Sequence, residues 1–338
     1  MRLIYYAGSG NFGDELNRIL WPRLVPGLFD EHGRDGFLGI GTIVGMPTPD
    51  CDRLHVFSSG VGYDKLSGWN VARRIWCVRG PLTAHLLAAE PDKILTDGAI
   101  LTPWVVARDN LSSSAATIGV MPHWESLHYP GWREACDLAG FRLINPIGEP
   151  EAVMRELQNT RLLITESLHG AIIADSYDIP WIPIRTSRNF SVFKWMDWCM
   201  SMQVPLSAVM VPPPSPDPLL RFGRLPSGTW GDRITFSPDD AISEFDARVE
   251  ATPRQPVAVP PHRRALMRLR TALAQSGCAE MLLRLAGIYR PERTATYLIR
   301  AARTAPSISC NILRGSLRDQ MMDRLHELSN VVIREPTA

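Results

Sequence analysis

Leu162-Leu163-Ile164-Thr165-Glu166-Ser167-Leu168-His169-Gly170-Ala171-Ile172-Ile173-Ala174-Asp175 places a strand, a sharp turn and a helix back to back. Leu162 to Thr165 is short and apolar enough to be a strand buried on both faces. The chain then turns, and Leu168 to Tyr177 reads as a helix with His169 in its first turn. A buried strand running directly into a helix is half of a βαβ unit, and such units build parallel sheets. Small residues at 170 and 171 let the start of the helix pack close to the sheet.

The same alternation continues on both sides. Downstream, Trp181 to Ile184 returns as a strand and Val192 to Met202 as a helix whose Trp and Met residues read as packing. Upstream, Thr117 to Met121 and Phe141 to Ile144 are strands, and Gly131 to Ala139 and Pro150 to Gln158 are helices. An earlier series begins with the strand Leu3 to Tyr6, a glycine loop, and a helix from about Asp14 to Trp21 that Pro22 should end. His55 to Ser58 and Arg74 to Val78 are further strands, Pro81 opens a helix over 82–89, and Ile94 to Thr96 leads into Asp97-Gly98. The polar run Asp109-Asn110-Leu111-Ser112-Ser113-Ser114 looks like a linker. From Pro205 to Pro260 prolines obscure regular structure, and the tail from His262 reads as several short helical pieces. Its basic, amphipathic opening, His262 to Arg270, is a solvated helix face. These features predict units over 1–112 and 115–210, then a Pro-rich segment and helical tail over 211–338.

The length of 338 residues fits about two domains. Hydrophobic residues at 45% and charged residues at 21% describe an ordinary globular chain. With 36 Lys and Arg against 35 Asp and Glu, the net charge of +1 supplies no general attraction to nucleic acid. No apolar run is long enough for a bilayer span, the first residues lack a signal-peptide pattern, and the six cysteines are scattered. The expectation is a soluble, cytoplasmic protein.

In parallel sheets ligands bind beyond the carboxyl ends of the strands. The polar residues there are Asn11, Asp14 and Glu15 after the first strand, then Arg79 and Asp97. In the second series they are His123 and Glu125, then Glu166, Ser167 and His169, then Arg185 and Arg188. Two histidines and several cations facing one cleft suggest an anionic ligand and proton transfer. A helix start offers free N–H groups and a positive dipole end to such an anion, and that field also lowers the pKa of an imidazole. Arg79, just ahead of a helix, has the donor fork suited to carboxylate or phosphate; a surface salt bridge would use the same group. Gly8-Ser9-Gly10-Asn11-Phe12-Gly13 formally matches the dinucleotide fingerprint, but prolines at 22 and 26 interrupt the unit that should follow. The glycines are expected instead to form a tight loop aiming Asn11 and Asp14 into the cleft. His123, Trp124, Glu125 and His128 lack a third ligand of matching spacing, so no metal is expected. Hydrogen bonding to a sugar hydroxyl beside the Trp124 ring is preferred.

Asn11-Phe12-Gly13-Asp14-Glu15-Leu16-Asn17, Ser59-Gly60-Val61-Gly62, Val78-Arg79-Gly80-Pro81-Leu82-Thr83, Asp97-Gly98-Ala99 and Glu166-Ser167-Leu168-His169-Gly170-Ala171 together resemble the polysaccharide pyruvyl transferase family. The likeness is to the branch that adds pyruvate ketals to exopolysaccharides of the succinoglycan kind, and it covers about residues 1–202. It implies two Rossmann-like α/β domains facing across a cleft, similar to GT-B glycosyltransferases. It also implies phosphoenolpyruvate as donor, a lipid-linked sugar diol as acceptor, peripheral contact with the inner membrane, and no cofactor. Family members often carry Arg-Leu-His where this chain has Ser167-Leu168-His169. Arg79, Arg185 or Arg188 would then replace the missing cation.

Ketal formation adds a proton to the donor's methylene carbon while a sugar hydroxyl attacks C2. Phosphate leaves as the C2–O bond to it breaks, and a second hydroxyl closes the ring. The resemblance puts His169, Asp14 and Glu125 in the catalytic roles. Arg79, Ser167, Leu168, Gly170, Arg185 and Arg188 fall on the donor, and Asn11, Glu15, His123 and Trp124 on the acceptor. A nucleotide-sugar glycosyltransferase and a non-catalytic carbohydrate-binding subunit are the alternatives.

Overall fold

Short apolar strands alternate with helices in the computed structural model, which describes every residue except 9, 49, 64–65, 67–68, 70–71, 109–116, 223–228, 252–289 and 335–338. In the first half, β1 (Arg2–Ile4), β2 (Gly36–Leu38), β3 (Leu54–Phe57) and β4 (Arg73–Cys77) pair in chain order, all parallel. The second half contributes β5 (Thr117–Met121), β6 (Arg142–Leu143), β7 (Thr160–Thr165), β8 (Trp181–Arg185), β9 (Ser207–Met210) and β10 (Arg233–Thr235). They form a sheet ordered β10-β9-β8-β7-β5-β6, in which only the β10 pairing is antiparallel.

The helices of the first half are α1 (Phe12–Glu15), α2 (Asn17–Leu24), α3 (Pro81–Leu87) and α4 (Thr102–Val105). Those of the second are α5 (Trp124–Leu127), α6 (Trp132–Ala139), α7 (Pro150–Gln158), α8 (Leu168–Ser176), α9 (Val192–Ser201), α10 (Asp217–Phe222) and α11 (Pro238–Ala251). Two later helices, Pro291–Ala301 and Asn311–Arg334, return to the body. The first lies on α6, and the second packs against β4. No described helix is long and apolar enough to cross a membrane.

One hydrophobic core runs from Trp21, Phe37 and Phe57 under the first sheet to Trp181, Trp195 and Trp198 beside the second. Trp21 meets Phe37 and Phe57 edge-on at 5.2 and 5.4 Å. That packing explains a departure from the sequence reading: Pro22 sits inside α2 instead of ending it. Its ring removes one helical hydrogen bond. However, Trp21 is fully buried and its Nε1–H donates to Asn17 Oδ1 at 2.8 Å, which holds the turn in place.

Other departures follow from tertiary pairing. β2 carries no sequence signal, because three residues beside glycines show no period; it exists by pairing with β1 and β3. Ile94 makes a single bridge to Val78 and no strand. The second sheet does not stop at residue 210, since β10 extends it, and the tail contains one helix of 24 residues where short pieces were expected. The expected linker at 109–114 and the basic stretch 262–270 lie outside the described residues.

Candidate active site

The loop after β1 reaches across to the second half. The Phe12 backbone N–H donates to Pro146 O at 2.9 Å, and Asn11 forms a bridge with Ile147. Gly8 and Gly10 adopt φ of +84° and +69°, a left-handed geometry that costs glycine little, so the tight loop expected from the sequence is present. Asn11 then caps α1, with its side chain accepting from Gly13 N, and its Nδ2–H donates to Asp14 Oδ2 at 3.0 Å.

From the other half, β7 enters α8 through a tightly bonded turn. Thr165 Oγ1 accepts from Ser167 N at 2.8 Å and donates to Met121 O at 2.9 Å, tying the turn to β5. Ser167 is the N-cap, its Oγ accepting from Gly170 N at 3.2 Å. His169 therefore leaves the first turn of α8 and packs against Gly13 of α1. A Cβ added at Gly13 would stand 1.9 Å from His169 Nδ1, so only glycine admits the imidazole there.

Between the halves opens a cavity of about 480 Å³, within the size range of small-molecule sites. Asn11, Asp14, His123, Trp124, Glu125, Ser167, Leu168 and His169, all singled out from the sequence, line it. Glu166 lines it too, but its carboxylate is spent on the protein. It accepts from His123 N at 3.2 Å and from the Thr186 hydroxyl, and burial raises its pKa.

The remaining expectations need correction. Arg79 is fully buried behind the wall. Its Nε donates to Asp197 at 3.0 Å, and its two terminal nitrogens donate to Thr42 Oγ1 and Val61 O at 2.9 and 3.0 Å. The guanidinium ties the β4–α3 turn to α9. Arg185 is also buried, 3.7 Å from Glu244 and between the Phe190 and Phe236 rings. Arg188 is exposed and off the cavity, and Glu15 pairs with Arg18 at 3.0 Å. Gly170 packs under Met121 instead of facing the opening.

The cations that do line the cavity are Lys194 and Arg221. Arg221 reaches Glu125 at 3.0 Å. Lys194, in the first turn of α9 behind the N-cap Ser191, contacts the Tyr63 hydroxyl and lies 3.8 Å from that ring's centre. The sequence reading treated this helix as packing. The overlooked signal was its charge: Lys194 and Asp197 are the two charged residues in a helix otherwise of Val, Phe, Trp, Met, Cys and Ser.

These groups set one another's protonation. Burial, together with the Arg79 and Lys194 charges, pushes the His169 imidazole down to about 3, so it is neutral near pH 7. His123 is also pushed down to about 3, chiefly by burial. Its Nδ1 accepts from the Glu125 backbone N–H at 3.3 Å and from Asn189 Nδ2 at 2.8 Å, which leaves the ring proton on Nε2. Lys194 is lowered to about 7 by burial first and by Arg79 and Arg248 next, so it titrates near neutrality. Among the described residues no group of three His, Cys, Asp or Glu side chains is placed to hold a metal ion.

A family model described as polysaccharide pyruvyl transferase matches residues 101–188, the stretch that carries β5 to β8 and the His169 turn. The succinoglycan biosynthesis protein ExoV of Rhizobium meliloti (strain 1021) is 34% identical over 213 residues, which cover 62% of this chain and 67% of that protein. No solved structure matches the chain.

Proposed function

The chain belongs to the polysaccharide pyruvyl transferase family, and on that premise we propose that it transfers the pyruvyl group of phosphoenolpyruvate to two hydroxyls of a sugar in an exopolysaccharide repeat unit, forming a cyclic ketal. The observation that carries this reading is the convergence on one cavity of two helix starts, at Ser167 of α8 and Ser191 of α9, with Lys194 and His169 between the two halves. Helix starts and an ammonium suit a small, multiply charged anion. The neutral imidazole beside them suits proton transfer.

The donor's phosphate and carboxylate rest against the start of α8 and Lys194. This replaces the direct contacts first expected from Arg79, Arg185 and Arg188. Arg79 acts from behind the wall by its field, as its lowering of the His169 and Lys194 pKa values indicates. A bound dianion offsets that field and lets His169 hold a proton, so the imidazole can take one from the attacking hydroxyl and give it to the donor's methylene carbon, while the proton of the second hydroxyl leaves with the phosphate. Asp14 and Glu125 orient the sugar hydroxyls, and Lys194 neutralises the departing phosphate. The two halves act as Rossmann-like units on either side of the cavity in the GT-B manner. The acceptor is a lipid-linked oligosaccharide met at a membrane surface, and the name of the ExoV relative points to succinoglycan-type sugars.

The test is incubation with phosphoenolpyruvate and ketal-free lipid-linked oligosaccharides. Phosphate release with a pyruvate mass increment on the sugar is expected. Turnover of a UDP-sugar with no use of phosphoenolpyruvate overturns the reading.

A further inference from the structure

Among the described residues, few large apolar side chains are exposed, and two of them, Tyr6 at 53% and Tyr63 at 43%, stand on the wall of this cavity. Burying such rings is worth a good deal, so leaving two beside one opening marks a contact surface. Tyr63 is held from below: the Lys194 ammonium lies 3.8 Å from its ring centre and touches its hydroxyl. A cation against the ring holds its orientation. Tyr6 follows β1 and Tyr63 follows the β3 strand end, so both come from the first half. Trp124, half-buried, completes the aromatic lining from the second half.

We infer that Tyr63 and Tyr6 form a stacking platform for the pyranose rings of the acceptor on the wall of the cavity, with Tyr63 adjoining the anion subsite through Lys194. A pyranose has a face of C–H groups rimmed by hydroxyls. It therefore needs an aromatic face together with hydrogen-bonding groups at its edge, and neither alone recognises it. Asp14 from the first half and Glu125 from the second supply acceptors, and Asn189 supplies an amide, in the same cavity. Because the platform is open to solvent, it accommodates a sugar continuing into a longer chain instead of a free monosaccharide. The inference rests on the proposed reaction for its choice of sugar, but the platform is tested by binding alone.

The probe is a set of succinoglycan-derived oligosaccharides freed of ketals by mild acid. Their binding is followed by intrinsic fluorescence in the absence of donor, and phosphoenolpyruvate binding is followed separately by thermal shift. Tyr63→Ala and Tyr6→Ala should each weaken saccharide binding by about tenfold. Tyr63→Phe should retain it, and the phosphoenolpyruvate-induced shift should persist in Tyr6→Ala. Both positions are exposed, so unfolding is not expected, and circular dichroism checks it. Saccharide affinity unchanged in both alanine variants, or no saccharide binding by the wild-type protein, overturns the platform. Saccharide binding that depends on the tyrosines while the wild-type protein makes no ketal leaves the platform standing and overturns the reaction.

Discussion

The β4–α3 turn and the β7–α8 turn are alike in sequence logic, each placing a basic residue beside a helix start. Their fates differ. At the first, α9 supplies Asp197, which accepts from Arg79 Nε at 3.0 Å, from Thr83 N at 2.9 Å and from the Thr83 hydroxyl at 2.6 Å. The turn is sealed and becomes a tie between the halves. At the second, no carboxylate among the described residues claims His169, and the half-buried imidazole lines the cavity. A strand-end turn thus becomes a site or a joint according to what packs over it, and a remote helix makes that choice.

The comparison breaks most decisively at the open turn. His169→Ala should lower ketal formation by roughly 10²–10⁴-fold while leaving the thermal midpoint close to that of the wild type. Phosphate-release assays beside calorimetry would check both. An active variant would remove His169 from the chemistry.

At the sealed turn the expected loss is in stability. Asp197→Ala leaves the Arg79 charge buried and unpaired, and should cost about 3–5 kcal/mol in denaturant unfolding. An unchanged midpoint would mean that the joint does not tie the halves together.

Lys194→Met sharpens the contrast between spent and available cations. Loss of a charged contact to the donor should weaken phosphoenolpyruvate binding by roughly tenfold or more. The pH dependence gives the sign. Lys194 loses its proton as pH rises through about 7, so wild-type donor affinity should fall over that range, and the fall should be absent in the variant. Titrating both proteins by calorimetry separates this from ionisation of the donor itself, which is common to the two.

The smallest effect belongs to the cap. Ser167→Ala removes the hydrogen bond to Gly170 N and should cost about 1 kcal/mol of stability. Acid sensitivity adds a related check. His123 and His169 both have folded-state pKa values near 3. The unfolded chain therefore binds more protons between the ordinary histidine pKa and about 3, and stability falls as pH drops through that window. His123→Gln should retain more of its pH 7 midpoint at pH 5 than the wild type does.

Much of this molecule could be read locally. The β7–α8 segment identified itself because a strand's apolar run, a sharp turn and a helix start with small residues follow one another directly along the chain. The same is true of β5 and α7, whose boundaries match the sequence reading closely. His169, Asp14, Glu125 and their neighbours were found by position at strand ends. Lys194 was missed because one lysine in a Trp- and Met-rich helix resembles an incidental surface charge, and Tyr6 and Tyr63 because an exposed ring has no pattern. β2 was missed because its three residues become a strand only between two partners.

Sequence alone determined most of the alternation between strand and helix, which turn presents an imidazole, and the family likeness, because each is written in short runs of neighbouring residues. Tertiary structure alone decided which cations face the cavity. A guanidinium's role depends on whether a carboxylate more than a hundred residues away reaches it first, and Asp197 reaches Arg79.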